Sequence, residues 1–201
     1  MANVNNDRFA RGGLALLLID LMNDLDFPGG DQLLSQALPV AERILRLRER
    51  ATRAGIPVVY VNDNFGRWRD QFKEVIAHCQ RPASRGRGLV ERLLPRDEDY
   101  FVLKPRHSGF YATTLEVVLD HLGARTLILT GLTGDICVLF TANDAYMRGF
   151  QLLVPNDCVA SVDPAENRHA LAYMQRVLKV DTQPSSEASE LLPEAGSHDR
   201  G

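Results

Sequence analysis

Residues 127–138 read LILTGLTGDICV, an apolar run that passes through a tight turn into a helical pattern. The run ends at Gly131 and helical periodicity resumes afterwards, which predicts Cys137 in the first turn of a helix that follows a buried strand. A thiol there meets backbone N–H groups without intrahelical partners and the positive end of the helix dipole, and both favour the thiolate. Cys137 is therefore a candidate nucleophile. The alternative is a small buried cysteine with a packing role only.

The composition indicates one ordinary globular domain. With 201 residues, 45% of them hydrophobic and 24% charged, the chain can bury one full core and is short for two domains. A formal net charge of -3 gives no reason to expect nucleic acid or an anionic membrane as a partner. No apolar run approaches the length needed to span a bilayer. The expected partner is a small-molecule substrate.

The two ends of the chain differ from its middle. Residues 1–12 are polar and lack the apolar core of a signal peptide, so we expect an N-terminal extension on a cytoplasmic protein. Residues 13–182 form the predicted single domain. From residue 183 to residue 201 the composition turns to Pro, Ser, Glu and Gly, which predicts a disordered tail.

The cysteines show no cross-linking pattern. Cys79, Cys137 and Cys158 are odd in number, far apart and without a Cys-x-x-Cys pair. This spacing argues against a disulfide framework and against a structural zinc site. Reduced thiols fit a cytoplasmic protein, and Cys79 and Cys158 are expected to be structural.

Strand and helix patterns alternate along the chain. Apolar runs predict strands at 14–20, 57–62, 99–104, 126–130 and 151–155. Helical periodicity predicts a helix that has Pro39 in its first turn and ends near Gly55, and further helices at 115–123, from Cys137 to about 149, and from about 164 to 178. Segment 71–96 reads as short helices and basic loops. This alternation is typical of a three-layer α/β/α fold with a doubly wound, mostly parallel sheet, which is a Rossmann-like arrangement.

Three reactive side chains occupy the carboxyl ends of predicted strands. Asp20 ends the first strand, Lys104 ends the third, and Cys137 follows the fourth. Because parallel strands end at one edge of a sheet, we expect the three side chains to lie together. A thiolate attacks acyl carbon, a carboxylate moves protons, and a lysine cation stabilises negative charge. Each residue alone has an ordinary explanation, as a helix cap, a solvated strand end or a core thiol, but together they favour catalysis.

Further motifs resemble those of the isochorismatase-like cysteine hydrolases along most of residues 14–180. The matching motifs are LIDLMND with FPGG at 18–24 and 27–30, KPRHSGF at 104–110, and GLTGDICV with TANDA at 131–138 and 141–145. This family includes nicotinamidases, N-carbamoylsarcosine amidase and ureidoacrylate amidohydrolases. The resemblance implies a catalytic triad of Asp20, Lys104 and Cys137, and a homodimer or homotetramer. It also implies a cis peptide bond between Leu132 and Thr133, with an oxyanion hole formed by the backbone N–H groups of Thr133 and Cys137.

Three departures from the family pattern bear on the substrate. Many relatives carry Gln where this chain has Met22, and Leu25 and Asp26 lengthen the segment before Phe27. Nicotinamidases follow the second strand with an Asp-x-His metal motif, whereas residues 63–65 read DNF and lack the histidine. Without an imidazole donor we expect no bound zinc or iron and no other cofactor. Nicotinamide therefore becomes a less favoured substrate.

Loops at the same edge supply the candidate substrate-binding residues, which are Phe27, Asn64, Arg67, Trp68 and Phe110. The stretch Arg67-Trp68-Arg69 fits a lid that pairs with a carboxylated substrate. It fits a subunit contact equally well, because Trp and Arg are enriched at interfaces.

The expected function is hydrolysis of a small amide, ureido or carbamoyl compound through a thioester on Cys137. His107 is an alternative base for the thiol, in the manner of papain, although the strand argument favours Asp20. One alternative function is isochorismatase-type hydrolysis of a vinyl ether, but relatives with that activity generally lack the cysteine. The other is a non-catalytic small-molecule-binding or scaffold module on the same fold, with the cysteine retained for packing or redox sensing.

Overall fold

The computed structural model describes residues 13–187, and within this range one parallel sheet is flanked by helices. The strands are β1 (Leu14–Ile19), β2 (Val58–Asp63), β3 (Tyr100–Lys104), β4 (Thr126–Leu132), β5 (Gln151–Leu153) and β6 (Val159–Ala160). The helices are α1 (Gly30–Arg53), α2 (Phe72–Cys79), α3 (Arg87–Arg92), α4 (Leu115–His121), α5 (Leu139–Met147) and α6 (Pro164–Val177), and a π-helical turn, Gly134–Val138, precedes α5. The strand order is β3-β2-β1-β4-β5, and β6 also pairs with β4. The predicted N-terminal extension and residues 188–201 of the predicted tail lie outside the described residues.

The sheet lies between two helical layers. β1 is buried along its whole length, as expected of a strand with helices over both faces. Leu16 and Leu18 belong to a core shared with α1, α2 and α3, whereas Leu17 and Ile19 belong to a core shared with α4, α5 and α6. Successive side chains of a strand point to opposite faces, so the two cores lie on opposite sides of the sheet. The predicted three-layer α/β/α fold class is confirmed.

The first helix begins earlier than the sequence predicts. Pro39 was expected in its first turn, whereas α1 begins at Gly30 and contains Pro39 in its interior. An interior proline costs about 3 kcal/mol, because its ring clashes with the preceding turn and it lacks an N–H. Leu33 and Ala37 are buried in the core on the N-terminal side of the proline. Their burial offsets the cost of the proline, and the predicted helix start was wrong for this reason.

The remaining differences lie in short elements. The poorly patterned segment 71–96 contains α2 and α3, and β6 was not predicted because two residues carry no periodicity. Beyond residue 182 the chain is still in contact with the domain, since Ser185 is buried and its N–H and hydroxyl both donate to the Asp157 carboxylate at 2.8 Å. None of the described helices is both long and apolar enough to cross a membrane.

Candidate active site

The carboxyl edge of the sheet brings Asp20, Lys104 and Cys137 together. Asp20 follows β1 directly, Lys104 is the last residue of β3, and Cys137 lies in the π-helical turn after β4. Asp20 has a φ of 51°, a left-handed conformation that non-glycine residues adopt mainly where the surrounding structure imposes it. Such positions cluster at functional sites.

The approach of the Cys137 segment to β1 depends on Gly131. This residue has a φ of 116°, and a Cβ atom there would lie 2.0 Å from the carbonyl oxygen of Ile19. Ile19 and Gly131 are partners in the pairing of β1 with β4, which is possible only while position 131 lacks a side chain. Gly131 therefore holds the strand before Cys137 against the strand before Asp20.

Lys104 is at the centre of the site. Its side chain is completely buried, and its Nζ atom lies 2.7 Å from Oδ2 of Asp20, whose side chain is 6% exposed. The same nitrogen donates hydrogen bonds to the carbonyl oxygen of Arg106 at 3.2 Å and to Cys137 Sγ at 3.5 Å. The three N–H groups of the ammonium thus have three partners, so the cation is held in one position beside the thiol.

Two carboxylates face the lysine. Asp20 Oδ1 accepts the backbone N–H of Asp63 at 2.6 Å, and the Asp20 carboxylate also hydrogen-bonds the Cys137 thiol. Asp63 Oδ2 lies 3.7 Å from Lys104 Nζ, and its Oδ1 accepts the N–H of Phe65 at 2.6 Å. With both carboxylates ionised and Lys104 protonated, this group carries one net negative charge.

The charges in the site keep Cys137 protonated at rest. Burial raises the pKa of the Cys137 thiol, the neighbouring Asp20 carboxylate raises it further, and Lys104 only partly offsets both effects. Burial also raises the pKa of Asp20 above its ordinary value of 3.8, against the opposing charge of Lys104. Burial is the largest single influence and lowers the pKa of Lys104, but the charges of Asp20, Cys137 and Asp63 and the hydrogen bond to Asp20 together outweigh it, so the net shift is upward. The raised pKa values of Lys104 and Cys137 therefore favour an ammonium and a thiol in the resting site.

This result corrects the expectation of a stabilised thiolate. The sequence predicted that the start of a helix would lower the pKa of the Cys137 thiol. The structure places Asp20 in contact with that thiol, and a second negative charge beside the carboxylate is unfavourable. Burial and this carboxylate together raise the pKa of the thiol, and Asp20 is in position to take the thiol proton when the sulfur reacts.

The turn before Cys137 is where the resemblance places an oxyanion hole. The peptide bond between Leu132 and Thr133 is cis. The Thr133 carbonyl accepts the N–H groups of Ile136 at 3.2 Å and Val138 at 3.1 Å, which closes the turn on both sides of Cys137. Thr133 Oγ1 is buried and has no hydrogen-bond partner among the described residues. The backbone N–H groups of Thr133 and Cys137 belong to this turn.

The five candidate substrate-binding residues have different environments. Phe27 is 37% exposed and Trp68 is 77% exposed, so both have surface free for a ligand or a subunit. Arg67 is held within its own region by Asp70 at 2.6 Å and by the His78 ring at 2.9 Å. Asn64 is buried, and its Oδ1 accepts the N–H of Gly66 at 2.9 Å.

Phe110 lies in the core with α4, α5 and α6. Its ring is 5.9 Å from the Phe150 ring, and the Arg148 guanidinium lies 4.8 Å above it. His107, the alternative base, packs its ring 5.4 Å from the Phe140 ring, and no described contact joins it to Cys137. The structure therefore brings Asp20 to the thiol, and it does not bring His107 there.

Asn62 contributes to the site and was not recognised in the sequence. Its Oδ1 accepts the N–H of Met22 at 2.9 Å and its Nδ2 donates to the Met22 carbonyl at 2.8 Å, which fixes the chain just after Asp20. The Met22 side chain is fully buried in the core. From the Gln of many relatives, this position was expected to bear on the substrate. The available signal was an amide at a buried position of an otherwise apolar strand.

The residues around Asp63 do not fit a divalent cation. Both Asp63 oxygens already face partners, Phe65 N–H and Lys104 Nζ, and Lys104 is itself a cation. Within residues 13–187, no three His, Cys, Asp or Glu side chains cluster as metal ligands do. The donor set of a nicotinamidase-type metal motif is thus incomplete at this position.

The chain belongs to the isochorismatase family. The sequence profile of the Isochorismatase domain matches residues 14–184. The chain is therefore an isochorismatase-family hydrolase with the α/β fold of that family, and its relatives include amidohydrolases that act on C–N bonds.

Three relatives illustrate the likeness. The uncharacterized isochorismatase family protein YaaI of Bacillus subtilis (strain 168) is 40% identical over 82% of this chain and 90% of its own length. The ureidoacrylate amidohydrolase RutB of Methylorubrum extorquens (strain DM4) is 30% identical over 78% of this chain and 73% of its own. N-carbamoylsarcosine amidase from Thermoplasma acidophilum, known from a crystal structure, is 29% identical in sequence to this chain. The match covers 86% of this chain and 96% of the amidase chain, with a TM-score of 0.64.

Proposed function

We propose that this protein hydrolyses the C–N bond of a small amide, ureido or carbamoyl compound through a covalent intermediate on Cys137. The observation that carries the proposal is the set of direct contacts among Asp20, Lys104 and the Cys137 thiol in a buried site. Burial of an ion pair beside a thiol is costly for stability alone, and a catalytic role explains why the three groups are held together.

The first half of the reaction would begin from the resting thiol. As the sulfur attacks the carbonyl carbon, Asp20 accepts the thiol proton, the S–C bond forms and the carbonyl electron pair moves to oxygen. The N–H groups of Thr133 and Cys137 would stabilise that oxyanion. Asp20 then gives its proton to the leaving nitrogen, the C–N bond breaks, and ammonia or an amine departs. A thioester, or a thiocarbamate from a ureido substrate, remains on Cys137.

The second half reverses these roles with water. Asp20 accepts a proton from water as the water oxygen attacks the acyl carbon, and the new oxyanion lies at the same position as the first one. The S–C bond then breaks, the proton returns to sulfur, and the acid product leaves. Lys104 remains protonated throughout and stabilises the negative charge that passes between Asp20 and Cys137.

Two relatives support this choice of substrate class. Ureidoacrylate amidohydrolase and N-carbamoylsarcosine amidase act on carbamoyl-type compounds by name, and this chain covers most of both. The incomplete metal donor set at Asp63 favours chemistry that uses Cys137 without a Lewis acid.

The test is ammonia release from a panel of small amides and ureides by the wild type, Cys137→Ala and Cys79→Ala. Cys79 is a buried thiol of α2 outside the site, so its variant controls for the loss of a thiol. We expect Cys137→Ala to fall to the uncatalysed rate and Cys79→Ala to keep its activity. Product formation from a vinyl ether that survives Cys137→Ala would favour the ether hydrolase. No turnover of any substrate would favour the binding or scaffold module.

The resemblance also leads us to infer a homodimer or homotetramer. Ile136, Phe140 and Met147 are exposed large apolar side chains on the segment that begins with the Cys137 turn. Their exposure beside the site is compatible with coverage by a second copy.

A further inference from the structure

Arg106 is a charged residue beside the site that the proposed mechanism does not use. Its carbonyl oxygen accepts the hydrogen bond from Lys104 Nζ at 3.2 Å, and that nitrogen lies 3.5 Å from Cys137 Sγ. The next residue, His107, packs its ring against Phe140 of α5. The backbone at Arg106 is therefore fixed between the buried lysine and the helix that continues from Cys137, while its side chain is exposed.

The Arg106 guanidinium has no partner within residues 13–187. Among the arginines near this edge, Arg67 pairs with Asp70, and Arg85 pairs with Asp31 and donates to the Leu25 carbonyl. The exposed Arg69 also has no partner among the described residues, but none of its contacts reaches the lysine or the thiol. No ion pair or side-chain hydrogen bond of Arg106 is found among the described residues. Arg106 thus presents a full set of unused donors on a residue whose backbone contacts the lysine beside the thiol.

The charge of the buried group favours a cation at this position. With both carboxylates ionised, Asp20, Asp63 and Lys104 together carry one net negative charge, which repels an anionic substrate from the interior of the site. A neutral carbamoyl group can approach the thiol without that penalty. A carboxylate elsewhere in the same substrate needs a positive partner outside this group. Arg106 is an unpaired cation whose own backbone contacts Lys104.

We propose that Arg106 binds a substrate carboxylate and thereby selects ureido or carbamoyl acids over neutral ureas. The planar guanidinium matches a carboxylate with two parallel hydrogen bonds, which fixes the substrate as well as attracting it. Arg106 is then a specificity-determining residue, and the substrate carries its carboxylate a few bonds from the C–N bond that breaks. This inference rests on the proposed function.

The first experiment compares two substrates of similar shape. N-carbamoylglycine carries a carboxylate, and isobutylurea has an isopropyl group in its place; ammonia release gives kcat/KM for both. We expect Arg106→Ala to lower kcat/KM for N-carbamoylglycine by about 10- to 100-fold, which is the usual effect of losing a charged hydrogen-bond pair. The kcat/KM for isobutylurea should change by less than about twofold. Arg106→Lys should recover part of the loss for the acid.

Arg46→Ala is the matched control, because Arg46 is an exposed arginine of α1 with no ion pair among the described residues. It should leave both values unchanged. An equal loss for both substrates in Arg106→Ala, or no loss for either, would overturn the assignment, since a purely structural role of residue 106 does not distinguish acid from urea.

A binding experiment separates this inference from the proposed function. N-carbamoylglycine is titrated calorimetrically into Cys137→Ala and into Cys137→Ala with Arg106→Ala. We expect binding that weakens by about 10- to 100-fold in the second protein and that also weakens with added salt. Binding without turnover by the wild type would contradict the proposed function alone. No binding to Cys137→Ala, or equal binding to both proteins, would refute the role of Arg106.

Discussion

Replacing Lys104 by Met should destabilise the protein strongly and in a pH-dependent way. The Lys104 side chain is completely buried, and its nearer counter-ion, Asp20 at 2.7 Å, has a side chain that is only 6% exposed. Met has a similar length without the charge, so the main effect is an uncompensated carboxylate in the interior. Removing one partner of a buried ion pair costs about 3–5 kcal/mol. That is a large part of the 5–15 kcal/mol by which domains are usually stable.

The sign of the pH dependence follows from Asp20. Lys104 is the main influence that lowers the pKa of Asp20 in the folded protein, so its loss raises that pKa further above the ordinary value of 3.8. A raised folded-state pKa means that the folded variant binds the proton more tightly than the unfolded chain does. The deficit of Lys104→Met should therefore be largest near pH 8 and should shrink as the pH falls and Asp20 becomes protonated.

A double-mutant cycle measures the pair directly. Urea unfolding followed by circular dichroism gives the free energy of unfolding of the wild type, Lys104→Met, Asp20→Asn and the double variant at pH 8 and pH 5. We expect a coupling energy of about 2 kcal/mol at pH 8, because the double variant leaves no buried charge of this pair unpaired. Arg87→Met breaks the exposed pair of Arg87 with Glu91 at 2.6 Å and should cost at most about 0.5 kcal/mol. A cost below about 1 kcal/mol for Lys104→Met, with no coupling, would refute the buried pair.

Four further outcomes are expected. The profile of kcat/KM against pH should fall on the acid side with a midpoint above 3.8, because Asp20 must be ionised. It should stay level past pH 9.0, because the pKa values of Cys137 and Lys104 are both raised. An acid limb with a midpoint near 6.5 would indicate an imidazole base instead. Alkylation of Cys137 by iodoacetamide at pH 7, measured by peptide mass spectrometry, should be no faster than that of a free thiol and should accelerate in Asp20→Asn, where the charge that raises the pKa is gone. Gly131→Ala should cost at least about 2 kcal/mol in urea unfolding, because its Cβ would meet the Ile19 carbonyl oxygen at 2.0 Å, whereas Gly149→Ala, also at positive φ but in open space, should cost about 1 kcal/mol. Light scattering should give a mass above the 22.4 kDa of one chain, and Phe140→Glu should shift it towards the monomer if this exposed ring lies in the interface.

The sheet could be predicted because its strands are buried on both faces. An apolar run such as 14–19 has few other stable placements, and its alternation with helical patterns defines the α/β class. The start of α1 could not be predicted, because Gly29, Gly30 and Pro39 are local signals for a turn and a helix start. Burial of Leu33 overrides those signals, and such burial depends on the whole fold.

The positions of the three reactive residues could be predicted, but their ionisation could not. Asp20, Lys104 and Cys137 each stand at the end of a strand pattern, so the parallel sheet alone places them at one edge. The pKa of the thiol depends on burial and on angstrom-scale contacts with a carboxylate and an ammonium, and these appear only in three dimensions. The clamp of Asn62 on Met22, which are 40 residues apart, is a tertiary contact of the same kind.

Acid quenching during turnover, followed by intact-protein mass spectrometry, tests most directly whether Cys137 is the nucleophile. The wild type is mixed with a substrate that releases ammonia, quenched within a single turnover and digested to locate any adduct. We expect Cys137 to carry the mass of the substrate minus ammonia, with no adduct on Cys79 or Cys158 and none in Cys137→Ala. Ammonia release at full rate from Cys137→Ala, or an adduct on another residue, would contradict the mechanism.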